Sequence, residues 1–321
     1  MTKERFRIIF MGTPDFAVES LKSLHENGFT IVGVITAPDK PAGRGKKIQS
    51  SAVKKYALEN KLNILQPTNL KNEIFVTELK SLKADLQVVV AFRMLPEVVW
   101  AMPKHGTINL HASLLPDYRG AAPINHAIIN GETKTGVTTF FIEKEIDTGM
   151  IIFQKEVEIL ENENAGQLHD KLMNIGGELI VNTVDAIINE EVKPILQIQI
   201  SVSEIKPANK IFKDFCEINW QQNNQTIYNF IRGLSPYPAA WFKITNNENK
   251  TLTIKVFASE MIFEEHKNEV GKIISDNKTF IKICTSEGYM NILELQLQGK
   301  KRMPIKDLLN GFDISEYKII L

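Results

Sequence analysis

The feature that most constrains the fold lies at the start of the chain. Arg7 to Met11 reads as a short buried strand, Gly12-Thr-Pro-Asp15 as a turn, Phe16 to Asn27 as a helix and Thr30 to Thr36 as a second β-rich run. A strand, a helix and a strand joined this closely make a parallel pair with a right-handed crossover. Asp15 is placed to cap the helix and Gly28 to end it in the left-handed conformation. The turn carries the single glycine Gly12 and lacks the Gly-x-Gly-x-x-Gly spacing, so it reads as turn geometry and not as a dinucleotide-phosphate site.

The same alternation continues. Helices are expected over 51–60, 73–82 and 124–130, with strands at Asn63 to Leu65, Leu86 to Ala91, Gly106 to His111, Thr135 to Phe141 and Met150 to Glu158. The Val88-Val-Val90 run suits a central strand covered on both faces. Leu168, Leu172, Ile175, Leu179 and Ile187 recur at helical spacing, giving one long helix to about Glu190, with Gly176-Gly177 marking a close packing contact. Beyond Pro194 an alternating run and a polar stretch read as an extended linker, after which short strands separated by turns suggest a small β-barrel. The expected fold is therefore α/β: a Rossmann-like, mostly parallel sheet domain over 1–190, a linker over 191–208 and an OB-like β-barrel domain over 209–321. A length of 321 residues suits two such domains.

Hydrophobic and charged contents of 43% and 24% are enough for a packed core. Cys216 and Cys284 lack the spacing of a disulfide framework or a zinc site, which points to a reducing compartment. The first ten residues lack the apolar core of a signal peptide, and no run approaches the roughly 18 apolar residues of a membrane span. A cytoplasmic protein without a membrane partner is expected, as a monomer. Its formal net charge is zero, so an anionic partner must be met by a local basic patch.

Three stretches carry candidate chemistry. The loop Ala37 to Lys47 holds Lys40, Arg44, Lys46 and Lys47, with Lys54 and Lys55 beyond and only Asp39 opposing them. It is either a solvated surface loop or an arm for nucleic-acid phosphates. Phe92-Arg-Met-Leu-Pro96 follows a central strand at its carboxyl end, where ligands bind in open α/β sheets; the other reading is an ordinary connection. Asn109, two residues before His111 on one strand, projects to the same face, so an amide and an imidazole can converge on one atom as an oxyanion hole. Asp147, at the end of a later strand, is placed to fix the histidine tautomer. Packing roles for all three remain open from the pattern alone. Nothing resembles a Gly-x-Ser-x-Gly elbow, so Ser113 is not favoured as a nucleophile, and the other histidines show no metal-ligand spacing.

Asn109-x-His111-x-Ser113-Leu-Leu-Pro-x-Tyr-Arg-Gly120 together with Asp147-Thr-Gly149 resembles the signature of the formyltransferases that use 10-formyltetrahydrofolate. The resemblance implies catalytic roles for Asn109, His111 and Asp147. It implies a folate site at Phe92, Arg93, Met94 and Leu95 and at Ser113, Leu114, Leu115 and Pro116, with no metal. Met11 to Ala17, Pro38 to Lys47, Gly120 to Ile124, Ala208 to Ile211 and Ile231 to Pro238 extend it to members acting on charged initiator tRNA. That branch implies a tRNA-binding loop at Lys40, Arg44, Lys46 and Lys47 and a barrel that holds the tRNA body. Two alternatives stand beside it: an amino-sugar-nucleotide formyltransferase, for which the basic loop has no use, and a non-catalytic RNA-binding protein. Glycinamide ribonucleotide formyltransferases are about one domain long and fit less well.

Overall fold

The structure is a computed structural model that describes residues 2–42, 47–200 and 204–321, the side chains of Ala42 and Lys47 apart. In chain order the elements are β1 (Arg7–Gly12), α1 (Asp15–Glu26), β2 (Thr30–Ile35), β3 (Lys40–Ala42), β4 (Lys47–Gln49), α2 (Ala52–Glu59), β5 (Ile64–Leu65), α3 (Glu73–Ser81), β6 (Leu86–Val90), α4 (Glu97–Trp100), β7 (Thr107–His111), β8 (Arg119–Gly120), α5 (Pro123–Ile129), β9 (Lys134–Phe141), β10 (Ile151–Glu158) and α6 (Ala165–Ile188). Two compact units emerge. The first comprises 1–120, 135–157 and 169–207; the second comprises 121–134, 158–168 and 208–321. Residues 121–134 and 158–168, which precede the expected domain boundary, thus group with the C-terminal unit.

The first unit is built on a seven-stranded sheet in the order β10-β9-β7-β6-β1-β2-β5. β1 runs parallel to β2 and to β6, and β6 runs parallel to β7, as the opening strand-helix-strand reading requires. β9 returns antiparallel against β7, pairing Asn109 with Phe140 and His111 with Thr138. β6 is buried along its length and β1 from Ile8 onward, consistent with helices on both faces. On one face Ile9, Met11, Val89, Phe75 and Leu79 share a core, and full burial of each such side chain contributes about 1.5–3 kcal/mol.

The glycine pair in α6 explains how that helix lies so close to the strand carrying the site. A methyl group on Gly176 would come within 2.6 Å of Leu110 Cδ2 on β7, and one on Gly177 within 2.6 Å of Ser23 Oγ on α1. The close contact expected from the sequence is present. Asp15 does not cap α1. Pro14 occupies the cap position, and Asp15 is the first helical residue, its carboxylate in the first turn where it suits the helix dipole. Gly28 does end the segment in the left-handed region, with φ at 80°.

Long irregular stretches take more structure than the sequence reading allowed. The loop at 37–47 is flanked by a two-stranded antiparallel ribbon, in which Lys40 faces Gln49 and Pro41 faces Ile48. The segment read as an extended linker makes a bridge between Ile195 and Ile151 and then a 3-10 turn over Gln197–Gln199.

The second unit contains α5, α7 (Asn224–Leu234) and an antiparallel sheet that curls into a nearly closed barrel. Its strands lie in the order 273–275, 281–285, 288–297, 251–263, 240–246 and 317–320, with 303–304 paired to 288–297. This is the expected second β domain. The buried Arg232 in α7 donates Nε to Asn229 Oδ1 at 2.9 Å and Nη1 to the Glu163 carbonyl at 2.9 Å. Burial lowers its pKa, and these acceptors compensate the lost water.

Candidate active site

β7 delivers Asn109 and His111 to the carboxyl edge of the sheet, where β6 also ends. Both side chains project to one face because they are two residues apart on a strand. His111 is buried, and its Nε2 lies 2.8 Å from the Tyr118 carbonyl oxygen. A carbonyl only accepts, so Nε2 carries the proton and Nδ1 is left with a lone pair in the neutral ring. Nδ1 in turn lies 3.9 Å from Asp147 Oδ2, close enough to pair when the ring is charged but too far for a hydrogen bond. The sequence reading gave the tautomer to Asp147; the structure gives it to the Tyr118 carbonyl. Among the described residues the Asn109 side-chain amide has no hydrogen-bond partner.

Three successive residues after β7 tie this corner together. Tyr118 supplies the carbonyl to His111, Arg119 donates Nε and Nη2 to Gln197 Oε1 at 3.1 and 2.7 Å, and the Gly120 amide donates to Asp147 Oδ2 at 2.9 Å. Tyr118 and Asp147 both hold left-handed backbone, with φ of 61° and 55°. Non-glycine residues keep such conformations only where their surroundings over-determine them. Gln197 supplies part of that constraint: its Nε2 donates to the carbonyls of Asp147 and Gly149, each at 2.8 Å.

Sequence reasoning missed Gln197. It sits in Ile195-Leu-Gln-Ile-Gln-Ile200, where alternation predicts apolar residues inward, yet Gln197 is 3% exposed and Ile198 is 83% exposed. The available signal is that inversion, and only the fold reveals it.

Ser113 to Pro116 is pinned by its own hydrogen bonds. The Ser113 hydroxyl donates to the Asp117 carbonyl at 2.7 Å, so its proton is engaged. Thr138 Oγ1 donates to the Ser113 carbonyl at 2.6 Å, and Gln154 Nε2 to the Leu115 carbonyl at 2.9 Å. Leu115 is buried against Phe140 and Ile151, Pro116 is buried and Leu114 is half-buried.

After β6, Arg93 donates to the carbonyls of Pro67 and Thr68, and its guanidinium lies 5.6 Å from the Phe92 ring centre. Phe92 and Leu95 pack into the core, whereas Met94 is exposed. Arg93, Met94, Leu95 and Pro96 form one wall of an open cleft of about 380 Å³, and Thr68 to Lys71 form the other. That volume lies within the roughly 300–1,000 Å³ range of small-molecule sites.

In the basic region Lys40 is exposed on β3. Lys54 is not a free cation, since its Nζ pairs with Asp39 Oδ2 at 2.7 Å. Bonds from Lys54 and Gln66 hold the Asp39 carboxyl below its usual range. Arg44 and Lys46 lie outside the described residues, as does the Lys47 side chain. Among the described residues no cluster of His, Cys, Asp or Glu could hold a metal ion, and no helix is long and apolar enough to cross a membrane.

Comparison with known proteins decides the family. Residues 5–184 match the model of the formyl transferase domain, and residues 210–313 match the formyl transferase C-terminal domain. The chain belongs to the formyltransferase family. It is 57% identical over 321 residues to the methionyl-tRNA formyltransferase of Bacteroides thetaiotaomicron, covering 99% of this chain and 100% of that one. It is also 57% identical over 313 residues to the methionyl-tRNA formyltransferase of Flavobacterium johnsoniae, covering 98% of each. The fold of this formyltransferase is shared by an N-formyltransferase from Helicobacter canadensis solved with folinic acid and dTDP-3-aminofucose. The two are 22% identical at a TM-score of 0.64, over 93% of this chain and 100% of that one.

Proposed function

We propose that this formyltransferase moves the formyl group of 10-formyltetrahydrofolate to the α-amine of methionine on initiator methionyl-tRNA, acting as a cytoplasmic monomer. The observation that carries the chemistry is the set of unfilled valences at the end of β7: an amide without a partner, an imidazole Nδ1 with a lone pair, and a carboxylate 3.9 Å from it. These are the groups that direct transfer between nitrogens needs. His111 Nδ1 takes the proton of the attacking amine, and Asp147 stabilises the imidazolium that results. Asn109 donates to the formyl oxygen as charge develops on it, while the amine-to-formyl C–N bond forms and the bond to N10 of the folate breaks. The proton held by His111 is then available to the departing N10.

The cleft at Arg93 to Pro96 fits the donor in chemistry, since it offers apolar surface beside two cations, Arg93 and Lys71, for a molecule that joins flat rings to carboxylates. Ser113 to Pro116, with its backbone pinned by Thr138 and Gln154, supplies the rest of the donor site. Lys40, Arg44, Lys46 and Lys47 neutralise acceptor phosphates, and the barrel holds the tRNA body. The acceptor assignment rests on the full-length relatives, 57% identical, against 22% for the sugar enzyme solved with an amino-sugar nucleotide. Its test offers the purified protein three acceptors with the same donor: charged initiator tRNA, charged elongator tRNA and dTDP-3-aminofucose. Transfer to initiator tRNA in preference to both is expected. Transfer to the sugar instead would move the chain to the other branch, and tRNA binding without any transfer would make it a binding protein.

A further inference from the structure

We infer that Gln197 is a positioning residue for the reaction, acting through the Asp147 turn, and that the segment leading out of the first unit is therefore part of the catalytic scaffold. The inference rests on the catalytic reading of Asp147. Every hydrogen-bonding valence of the Gln197 amide is filled by the site: two N–H bonds go to the Asp147 and Gly149 carbonyls, and both oxygen lone pairs go to Arg119. One buried side chain thus clamps the turn that presents the carboxylate and the residue between the two anchors that hold His111 and Asp147.

A packing role would be served by any apolar side chain of similar size, because the flanking Leu196 and Ile198 are exposed and Gln197 is the residue turned inward. The directionality of the amide is what the site uses. It holds Asp147 in the left-handed conformation from which Oδ2 accepts the Gly120 amide and lies 3.9 Å from His111 Nδ1. The same segment grips the site again farther on, where the Lys206 carbonyl accepts the Tyr118 amide at 2.6 Å and the Lys206 amide donates to Asp117 Oδ1 at 3.1 Å.

The test is a double-mutant cycle on the full chain with methionyl initiator tRNA and 10-formyltetrahydrofolate, followed as single turnovers. Gln197→Met keeps the volume and loses both sets of bonds. Gln197→Glu keeps acceptors for Arg119 but sets oxygens against the two carbonyls. Each is expected to lower the transfer rate by roughly 10–10²-fold with KM for both substrates within about threefold, the scale of loss for a misplaced catalytic group. In an Asp147→Asn background the same changes should cost less than about threefold, because residues acting as a unit are not additive. Thermal midpoints of the variants separate unfolding from misplacement. Additive losses in the Asp147→Asn background, or wild-type transfer by a folded Gln197→Met, would overturn the inference. An Asp147→Asn enzyme as fast as wild type would instead sink the catalytic reading beneath it.

Discussion

The end of β7 and the ribbon of β3 and β4 present their polar groups in opposite ways. Around His111 almost every polar group is committed: the Tyr118 carbonyl, the Arg119 guanidinium and the Gly120 amide are all engaged, Gln197 is saturated, and the Ser113 hydroxyl is spent on the backbone. What stays uncommitted is the Asn109 amide, His111 Nδ1 and the second oxygen of Asp147. At the ribbon the order is reversed: the anchors lie at its base, where Asp39 takes Lys54 and Gln66, and Lys40 is left exposed. The difference is the one that the proposed roles of the two regions require. Transfer chemistry needs a few groups held to a fraction of an ångström, whereas phosphate recognition needs charge in reach and tolerates poor geometry.

That contrast can be broken most severely at Gly149. A methyl group there would lie inside the contact radius of the Phe141 carbonyl oxygen, so the turn bearing Asp147 must move. Gly149→Ala is expected to lower kcat by roughly 10²-fold and to destabilise the chain by about 2–3 kcal/mol, read by kinetics and denaturant melts. Wild-type turnover would show that the site tolerates displacement and that the contrast is false.

Smaller effects are expected from the basic residues of 40–47, of which Lys40 lies on β3. Arg44→Ala and Lys40→Ala should each raise KM for tRNA and reduce the slope of log affinity against log salt by about one, with donor binding unchanged. An equal loss of donor binding would place these residues in the other region. The smallest effect is expected at Asp39. Its carboxyl sits below the usual range because Lys54 and Gln66 bond to it, so the stability it lends is present at neutral pH and is lost as pH falls through the folded pKa. Asp39→Asn should lower Tm slightly at pH 7 and leave it unchanged in strong acid. A deficit that persists in acid would assign the effect to packing.

Much of the first unit was legible because its signals are local. Strand runs, Gly28 and the Gly176-Gly177 pair sit where side-chain size and backbone freedom force them. Asn109 and His111 were legible because a two-residue spacing on a strand has only one consequence. The rest depends on contacts that no periodicity records. The Tyr118 carbonyl that sets the histidine tautomer is backbone and has no residue signature. Gln197 reaches across 50 residues to the Asp147 carbonyl from a stretch whose alternation points the wrong way. The ribbon at β3 and β4 was hidden by a composition of proline, glycine and lysine that reads as loop.

In the proposed reaction the unpartnered side-chain amide of Asn109 waits for charge on the formyl oxygen. The direct measurement is kcat and both KM values for Asn109→Ala on methionyl initiator tRNA. A fall of about 10²–10³ in kcat, with both KM values within about threefold of wild type, is the predicted result. Turnover near that of wild type, or a loss confined to KM, would contradict it.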